Sequence, residues 1–251
     1  MDDYGPSTYG ERIAEAHDDR YGELAFGGDL PTTVAFLKEL ARDGAALELG
    51  IGTGRVALPL RATEVRVHGI DASQAMVARL GAKPGGSEIP VTMDDFRDFT
   101  VPERFHLIYV VFNTFFGLLT QDDQVSCFRS VARHLTDEGV FAMEAFVPDA
   151  TRWDRGQRVS ATRVELDEVE IEVSQHDALA QRTHSHHLIL REDGVNLYPV
   201  RIRYAYPSEL DLMARLAGMR LRERWADWDR SPIAATSQKH ISVWELDRAG
   251  T

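Results

Sequence analysis

Residues 47–55, LELGIGTGR, place one acid and three glycines at the end of an apolar run. Glycines let a backbone turn sharply and approach a ligand closely, because no side chain stands in the way. The acid, Glu48, would repel a pyrophosphate but attract a ligand with a positively charged end. The loop therefore predicts a site for a nucleotide-type cofactor that carries positive charge near Glu48.

The glycine spacing argues against a dinucleotide. A dinucleotide fingerprint reads G-x-G-x-x-G, with the pyrophosphate at the N-terminus of the following helix. Here the glycines alternate, and Arg55 stands where the third glycine is expected. Two further acids follow predicted strands: Asp71 could accept hydrogen bonds from ribose hydroxyls, and Asp95 from an exocyclic adenine amine.

Alternating strands and helices must position these residues. Between residues 44 and 148 the predicted strands are AALELG, EVRVHGID, IPVTMDD, FHLIYVVFN and VFAMEAFVP. The predicted helices are residues 8–16, a segment that begins near Pro31, RVALPLRA, SQAMVARLG with Ser73 as its N-cap, and DDQVSCFRSVARHLTDEG. This alternation predicts an open, mostly parallel α/β sheet.

The pattern changes after residue 150. Residues 151–204 are rich in strand formers, and Asp193-Gly194 is typical of a hairpin turn, so we expect three or four inserted antiparallel strands. The α/β pattern then resumes with the helix PSELDLMARLAGM and the strands LRERWADW and KHISVWEL. The sequence thus predicts one α/β unit, residues 1–150 with 205–251, and an inserted β subdomain, residues 151–204.

The amino-acid composition limits the kinds of partner that the chain can bind. The 251 residues carry a formal net charge of −12 and no run of Lys and Arg, which argues against a nucleic-acid partner. No apolar run reaches membrane-spanning length and no leader pattern follows Met1, so we expect a cytoplasmic protein with no membrane partner. The single cysteine, Cys127, excludes an intramolecular disulfide, and its apolar neighbours at helical spacing predict a packing or surface role rather than a nucleophilic one.

One histidine cluster suggests a metal. His184, His186 and His187 lie in a predicted strand, but strand geometry puts His187 on the face opposite to the other two. No acidic or cysteine partner is evident, so we expect a polar strand face and no metal site.

The combined motifs identify a family resemblance. E-x-G-x-G-x-G, an acid after strand two and an acid after strand three resemble the class I S-adenosylmethionine-dependent methyltransferases, and the likeness runs from TYGERIAEA to the terminal VWEL. It implies a Rossmann-like, seven-stranded, mostly parallel sheet with an antiparallel β insertion after strand five. It also implies the cofactor S-adenosyl-L-methionine, a cation without phosphate, and the product S-adenosyl-L-homocysteine.

The resemblance assigns a set of cofactor-binding residues. Glu48 and the glycine loop would surround the methionine moiety, and Asp71 would hold the ribose. Asp95 would accept a hydrogen bond from the adenine amine, although Asp94 beside it remains an alternative. The full set is Glu48, Gly50, Gly52, Gly54, Asp71, Ala72, Asp95, Phe96, Val111 and Phe112.

The acceptor is expected to be a small amine. Strand four ends in FNTFF and lacks the Pro-Pro-aromatic motif of DNA adenine methyltransferases. The F-N-T-F form and the N-terminal TYG resemble small-molecule N-methyltransferases of antibiotic pathways, which act on amino sugars and lincosamides. In those relatives an insertion after strand five builds the acceptor pocket or a subunit contact. Residues 151–204 are therefore expected to be an acceptor cap or a homo-oligomer contact.

The chemistry is an in-line displacement on the sulfonium methyl, so the protein mainly has to align two reactants. An amine needs little activation beyond being unprotonated, whereas a hydroxyl needs a stronger general base. Tyr9 would orient the amine and His17, unless it is a solvent-side residue, would accept its proton. The candidate catalytic residues are Tyr9, His17 and Phe116, and the candidate acceptor-binding residues are Tyr4, Tyr21, Asn113, Phe115 and Trp153.

Three alternatives are weaker. O-methylation is the nearest, disfavoured because no His-Asp pair or Lys base is evident beside strand four. A nicotinamide oxidoreductase is disfavoured by Glu48 and the glycine spacing. A non-catalytic scaffold has no physical need for all three acids, Glu48, Asp71 and Asp95.

Overall fold

The structure, a computed structural model, describes residues 30–248. The helices are α1 Leu30–Ala41, α2 Ala57–Arg61, α3 Gln74–Ala82, α4 Gln121–His134 and α5 Pro207–Leu216. The strands are β1 Ala46–Leu49, β2 Val67–Asp71, β3 Val91–Met93, β4 Phe105–Val110, β5 Leu135–Phe146, β6 Gln157–Val164, β7 Glu168–Asp177, β8 Arg182–Arg191, β9 Gly194–Arg203, β10 Met219–Trp225 and β11 Lys239–Leu246. The helix predicted over residues 8–16 lies outside the described residues, as do Tyr4, Tyr9, His17 and Tyr21.

The larger sheet has seven strands in the order β10-β11-β5-β4-β1-β2-β3. The pairs among β1 to β5 are parallel, and β11 runs antiparallel to both β5 and β10. A chain reversal at one edge of an otherwise parallel sheet is common in α/β folds. The predicted Rossmann-like sheet with an antiparallel insertion after strand five is confirmed.

Helices cover both faces of this sheet, as the unbroken apolar sequence of β4 requires. Ile108 and Val110 of β4 enter one apolar cluster with Phe128 of α4. Their neighbours Leu107 and Tyr109 enter a second cluster with α1 and α2 on the opposite face. Cys127 is fully buried in the first cluster, where burial raises the pKa of its thiol; its predicted packing role is confirmed.

The inserted sheet consists of β6, β7, β8 and β9 in sequence order, each antiparallel to the next. Arg191 pairs with Gly194 across the hairpin that Asp193-Gly194 predicted. Gln181 and Arg203 at the base of this sheet contact Gln124 of α4 and Glu209 of α5. These contacts attach the insertion to the helices beside the larger sheet.

Several predicted boundaries differ from the structure. The helix DDQVSCFRSVARHLTDEG ends at His134, and β5 already begins at Leu135, because Leu135 is extended and pairs with Phe105 of β4. The predicted strand IPVTMDD is shortened to Val91–Met93, which pairs only with β2 at the sheet edge. Within residues 30–248 no helix has the length and apolar character needed to cross a membrane.

Candidate active site

A cavity of about 550 Å³ opens at the carboxyl ends of β1, β2 and β4. Parallel sheets bind ligands at this edge, and the volume is that of a small-molecule site. The structure brings most of the predicted cofactor-binding residues together in its wall: Glu48, Gly50, Gly52, Asp71, Ala72, Asp95, Phe96, Val111 and Phe112.

The glycines of this loop have two different roles, one beside the cavity and one in packing against the core. Gly50 has φ +70°, and a Cβ there would lie 2.5 Å from Thr114 Cγ2, so only glycine fits beside the cavity. Gly54 is absent from the cavity wall; a Cβ at this position would lie 2.3 Å from Leu80 Cδ1 of α3. Gly54 lets the loop pack against α3, and its predicted contact with the cofactor stays a prediction.

Glu48 is a buried acid at the cavity, with 3% of its surface exposed. Burial raises its pKa to about 8, although a hydrogen bond from Tyr109 and the charge of Arg55 oppose the rise. A buried carboxylate is costly unless a cation or a proton accompanies it. The cavity therefore fits a ligand that brings positive charge to Glu48.

Asp71 links the glycine loop to the end of β2. Its Oδ2 accepts a hydrogen bond of 2.7 Å from the Gly52 N–H, and its Oδ1 accepts one of 2.8 Å from the Ser73 N–H. Burial raises the pKa of Asp71, while these backbone donors oppose the rise. A carboxylate has about four acceptor positions, so Asp71 can also accept from two ligand hydroxyls.

The structure separates the two acids after β3. Asp95 lines the cavity, and its Oδ1 accepts a hydrogen bond of 3.0 Å from the Arg97 N–H. Asp94 is exposed outside the cavity wall, where its Oδ1 accepts from the Asp95 N–H at 2.8 Å. Of the two alternatives, Asp95 has the position from which a cavity ligand can be contacted.

A strained turn follows β4. Phe112 and Asn113 both have positive φ, +56° and +63°, which is energetically costly for residues with side chains. The turn is held by Glu144, whose Oε2 accepts from the Phe112 N–H at 3.1 Å, and by Asn113 Oδ1, which accepts from the Phe146 N–H at 2.7 Å. The guanidinium of Arg55 lies 3.3 Å from the centre of the Phe112 ring.

Three predicted pocket residues lie elsewhere. Phe115 and Phe116 are fully buried in the core and absent from the cavity wall, because the 3₁₀ turn Thr114–Gly117 directs both rings inward. Trp153 stacks on His176 at 4.1 Å and donates a hydrogen bond of 3.1 Å to Ser174. The structure does not bring these three residues to the cavity wall, and their predicted contacts with the acceptor stay predictions. Asn113 does line the cavity, although its amide oxygen is engaged in the turn.

Sequence reasoning expected a cap from residues 151–204 but did not identify the individual wall residues of the inserted sheet, of α4, of β5 and of the loops beside them. The missed residues include Arg97, Leu118, Leu119, Asp123, Phe146, His187, Val200, Arg201 and Ile202. Only strand alternation offered a signal, since it put His187 on a different face from its neighbouring histidines. Which face would meet the cavity depends on long-range packing.

Comparisons with known proteins agree with this geometry. A family model described as a methyltransferase domain matches residues 46–139. The solved structure of the CcbJ methyltransferase from Streptomyces caelestis has a TM-score of 0.91 and 37% identity, covering 97% of this chain and 99% of that one. Cypemycin N-terminal methyltransferase from Streptomyces sp is 28% identical over 96% of this chain and 98% of the relative.

A more distant structure shares the fold. CalS10 from Micromonospora echinaspora, described as an amino pentose methyltransferase and solved with S-adenosylmethionine bound, has a TM-score of 0.67 and 19% identity. The alignment covers 93% of this chain and 97% of that one.

Proposed function

This chain belongs to the S-adenosylmethionine-dependent methyltransferases of class I, and we propose that it methylates an amine nitrogen of a small natural product. Support for the cofactor site comes from buried Glu48, which needs a nearby cation in order to be ionised at neutral pH. Support for nitrogen comes from the nearly full-length similarity to an N-terminal methyltransferase. O-methylation of a small natural product is the alternative that the experiment below has to exclude.

The cavity residues would divide between cofactor and acceptor. Glu48 would hold the amino end of the cofactor, Asp71 the ribose, and Asp95 the adenine. When bound, S-adenosylmethionine supplies a methyl group on a positively charged sulfur. The strained turn at Phe112 and Asn113 would lie beside this group, and the chain's main task is to align the acceptor with it.

The inserted sheet would form the acceptor side of the site. Residues 151–204 are proposed as the acceptor cap, because β8 and β9 contribute His187, Val200 and Ile202 to the cavity wall. Val200 and Ile202 are held in place through Arg203 next to them, which is bonded to α4 and α5. The mix of apolar and polar side chains suits a small amphipathic acceptor.

The test is methyl transfer to matched acceptors. The purified protein is incubated with S-adenosylmethionine and pairs of compounds that differ only by an amine or a hydroxyl, including amino sugars and short peptides with a free N-terminus. Release of S-adenosylhomocysteine should accompany the amine member of at least one pair. Turnover of hydroxyl members alone would support O-methylation instead, and no turnover with any pair would count against a small-molecule amine.

We further propose that a second copy of the chain covers the outer face of the inserted sheet. Cross-strand register places apolar side chains on this face: Val159, Val169, Ile171, Val173, Leu188, Leu190, Val195, Leu197 and Pro199. Val159 is 71% exposed and Leu197 is 54% exposed, so the face is open in the single chain. The register puts Glu168, Glu170 and Glu172 on the opposite face.

This arrangement inverts the usual pattern, in which an antiparallel sheet turns its apolar face inward. A contiguous apolar surface of this kind marks an interface. Asp177, at the end of β7, is the one carboxylate that the register of these strands places on this face, and its cross-strand neighbour is Arg182, so two copies of an acidic chain can meet here with little direct repulsion.

Light scattering on the variant Leu197→Glu tests the interface. The wild type should have at least twice the mass of one chain, and Leu197→Glu should lower it. The control, Leu212→Glu, changes a leucine that is 57% exposed on α5 and should leave the mass unchanged. A wild type with the mass of one chain would contradict the proposal.

A further inference from the structure

The histidine cluster of β8 is divided between the two faces of the inserted sheet. His184 pairs with Gln175 and Arg201, and His186 pairs with Val173 and Pro199, on the outer face. His187 has the opposite orientation and lines the cavity. Among the described residues it is the one histidine in the cavity wall.

A carboxylate accompanies His187. Its Nδ1 lies 3.4 Å from Glu170 Oε1 on the neighbouring strand β7, and the two side chains are only 25% and 18% exposed. A carboxylate at one ring nitrogen fixes the orientation of an imidazole and stabilises its protonated form. The contact at Nδ1 leaves Nε2 as the ring nitrogen available to a ligand.

The acids of the cavity wall already have partners. Glu48 accepts from the Tyr109 hydroxyl, Asp71 holds the glycine loop, and Asp95 lies 3.4 Å from the guanidinium of Arg97. Asp123 accepts a hydrogen bond of 2.6 Å from the Thr120 hydroxyl and lies 3.6 Å from Arg97. Within the described cavity wall, His187 is thus the group best placed to take a proton from a ligand.

The position of His187 fits the acceptor better than the cofactor. Its cross-strand partner Tyr198 on β9 packs against Met76 of α3, close to the ribose acid Asp71. The proposed cofactor contacts Glu48 and Asp71 belong to β1 and β2 of the larger sheet, whereas His187 belongs to the inserted sheet. His187 thus shares with Val200 and Ile202 the part of the cavity wall that we assign to the acceptor.

We propose that His187, oriented by Glu170, contacts the acceptor amine and takes up its proton. This inference rests on the proposed N-methylation. The acceptor nitrogen forms its bond to the methyl carbon as the carbon–sulfur bond breaks, and that electron pair stays on sulfur. The resulting ammonium carries one extra proton, which passes to Nε2 of His187, and Glu170 stabilises the imidazolium. His187 is the catalytic residue of the pair, and Glu170 is its positioning residue.

Charged and titratable groups from several elements lie around His187. Glu170 and Glu172 lie beside it on β7, and Tyr198 lies beside it on β9. The rest of the cavity wall contributes Glu48, Asp71, Asp95 and Asp123 together with Arg55, Arg97 and Arg201.

A binding experiment tests the contact without knowledge of the natural acceptor. The probe is an S-adenosylhomocysteine analogue in which a nitrogen carrying a 2-aminoethyl arm replaces the sulfur. His187→Gln should lose at least fivefold in affinity for this probe and keep its affinity for S-adenosylhomocysteine. The matched control, His184→Gln, changes the outer face of the same strand and should alter neither affinity.

Two results would overturn the contact. Equal affinity of wild type and His187→Gln for the probe would show that His187 does not reach the amine. An equal loss for the probe and for S-adenosylhomocysteine would place His187 at the cofactor. If the contact holds but no amine is methylated, the proposed function fails and the contact stands.

Turnover then tests the proton step, with the most active amine of the matched series. His187→Ala should lower kcat at least tenfold, and added imidazole should restore part of it, which a structural role would not allow. Glu170→Gln should lower kcat less and change its pH profile. Unchanged kcat in His187→Ala would contradict the proton transfer.

Discussion

The hydroxyl of Tyr109 donates a hydrogen bond of 2.9 Å to Oε2 of Glu48, and both side chains are buried beneath the cavity. Burial and the charge of Glu48 raise the pKa of Tyr109 well above its usual value, so the phenol remains a donor. This hydrogen bond fixes the orientation of the Glu48 carboxyl group. Because the pKa of Glu48 is about 8, the acid is largely protonated at neutral pH until a cation arrives.

Cofactor binding should therefore release a proton. Between pH 6 and pH 8 the cation requires ionised Glu48, so affinity for S-adenosylmethionine should rise with pH toward about 8. Titration calorimetry in buffers of different ionisation enthalpy measures the released proton. Glu48→Gln should bind more weakly and release no proton from this position. Equal proton release by wild type and Glu48→Gln would show that another group is responsible.

The same pKa predicts a cost in stability. A carboxyl whose pKa is raised from 4.5 to about 8 on folding stabilises the protein while protonated, and this contribution is lost as pH rises through 8. The melting temperature of the ligand-free wild type should fall between about pH 4.5 and pH 8 and level off above pH 8, and that of Glu48→Gln should fall less. Parallel melting curves across this range would contradict the raised pKa.

Asp71→Asn should weaken cofactor binding roughly 10- to 100-fold, because charge-assisted hydrogen bonds contribute about 1.5–3 kcal/mol each. The matched control is Asp94→Asn, an exposed acid outside the cavity wall, which should bind the cofactor as the wild type does. Calorimetry with S-adenosylhomocysteine gives the dissociation constants of both variants. A loss in Asp94→Asn as large as that in Asp71→Asn would contradict the choice of Asp95 over Asp94 as the cofactor contact after β3.

Arg203 attaches the inserted sheet to the helices. Its guanidinium lies 2.6 Å from Glu209, and only 6% of its side chain is exposed. Burial alone would raise the pKa of Glu209, but hydrogen bonds from Arg203, Gln181 and Gln121 outweigh burial and lower it. The stabilisation from this carboxyl is therefore present above its unfolded pKa and lost as pH falls through the lower folded value.

Arg203→Met should destabilise the fold by about 3 kcal/mol, because it leaves a partly buried carboxylate unpaired. That corresponds to a fall of roughly 6–12 °C in melting temperature. Arg220→Met, which removes a 59% exposed partner of Glu245, should change stability by about 0–1 kcal/mol. Similar losses in the two variants would show that burial of the Arg203 pair is not decisive.

Glycine substitutions test whether Gly54 is needed for packing of the loop against α3. Gly54→Ala should destabilise the protein by roughly 1–3 kcal/mol, because it combines positive φ with a clash against Leu80. Gly81→Ala, where a Cβ meets nothing within 4 Å on helix α3, should stabilise it by about 0.5–1 kcal/mol. Thermal melts measure both, and a stabilised Gly54→Ala would contradict the packing role.

Much of the cofactor wall could be predicted from sequence because its residues directly follow strands. Glu48, Asp71 and Val111 reach the same sheet edge simply because parallel strands share a direction. A short motif at the end of each strand therefore predicts both the alternation of strands and helices and the acids that face the ligand.

The acceptor side could not be predicted in the same way. The 3₁₀ turn Thr114–Gly117 directs the rings of Phe115 and Phe116 into the core. No local sequence pattern distinguishes such buried rings from rings that line a pocket. The place of His187 depended on how the inserted sheet packs on the α/β unit, since alternation gives two faces but not which one meets the cavity.

The central proposal, methylation of nitrogen, is tested most directly with one acceptor that carries both competing nucleophiles. An amino sugar with a free amine and free hydroxyls is incubated with the protein and S-adenosylmethionine bearing a deuterated methyl group. Tandem mass spectrometry then locates the label in the product. The account predicts the deuterated methyl on nitrogen, and a product labelled on oxygen would contradict it.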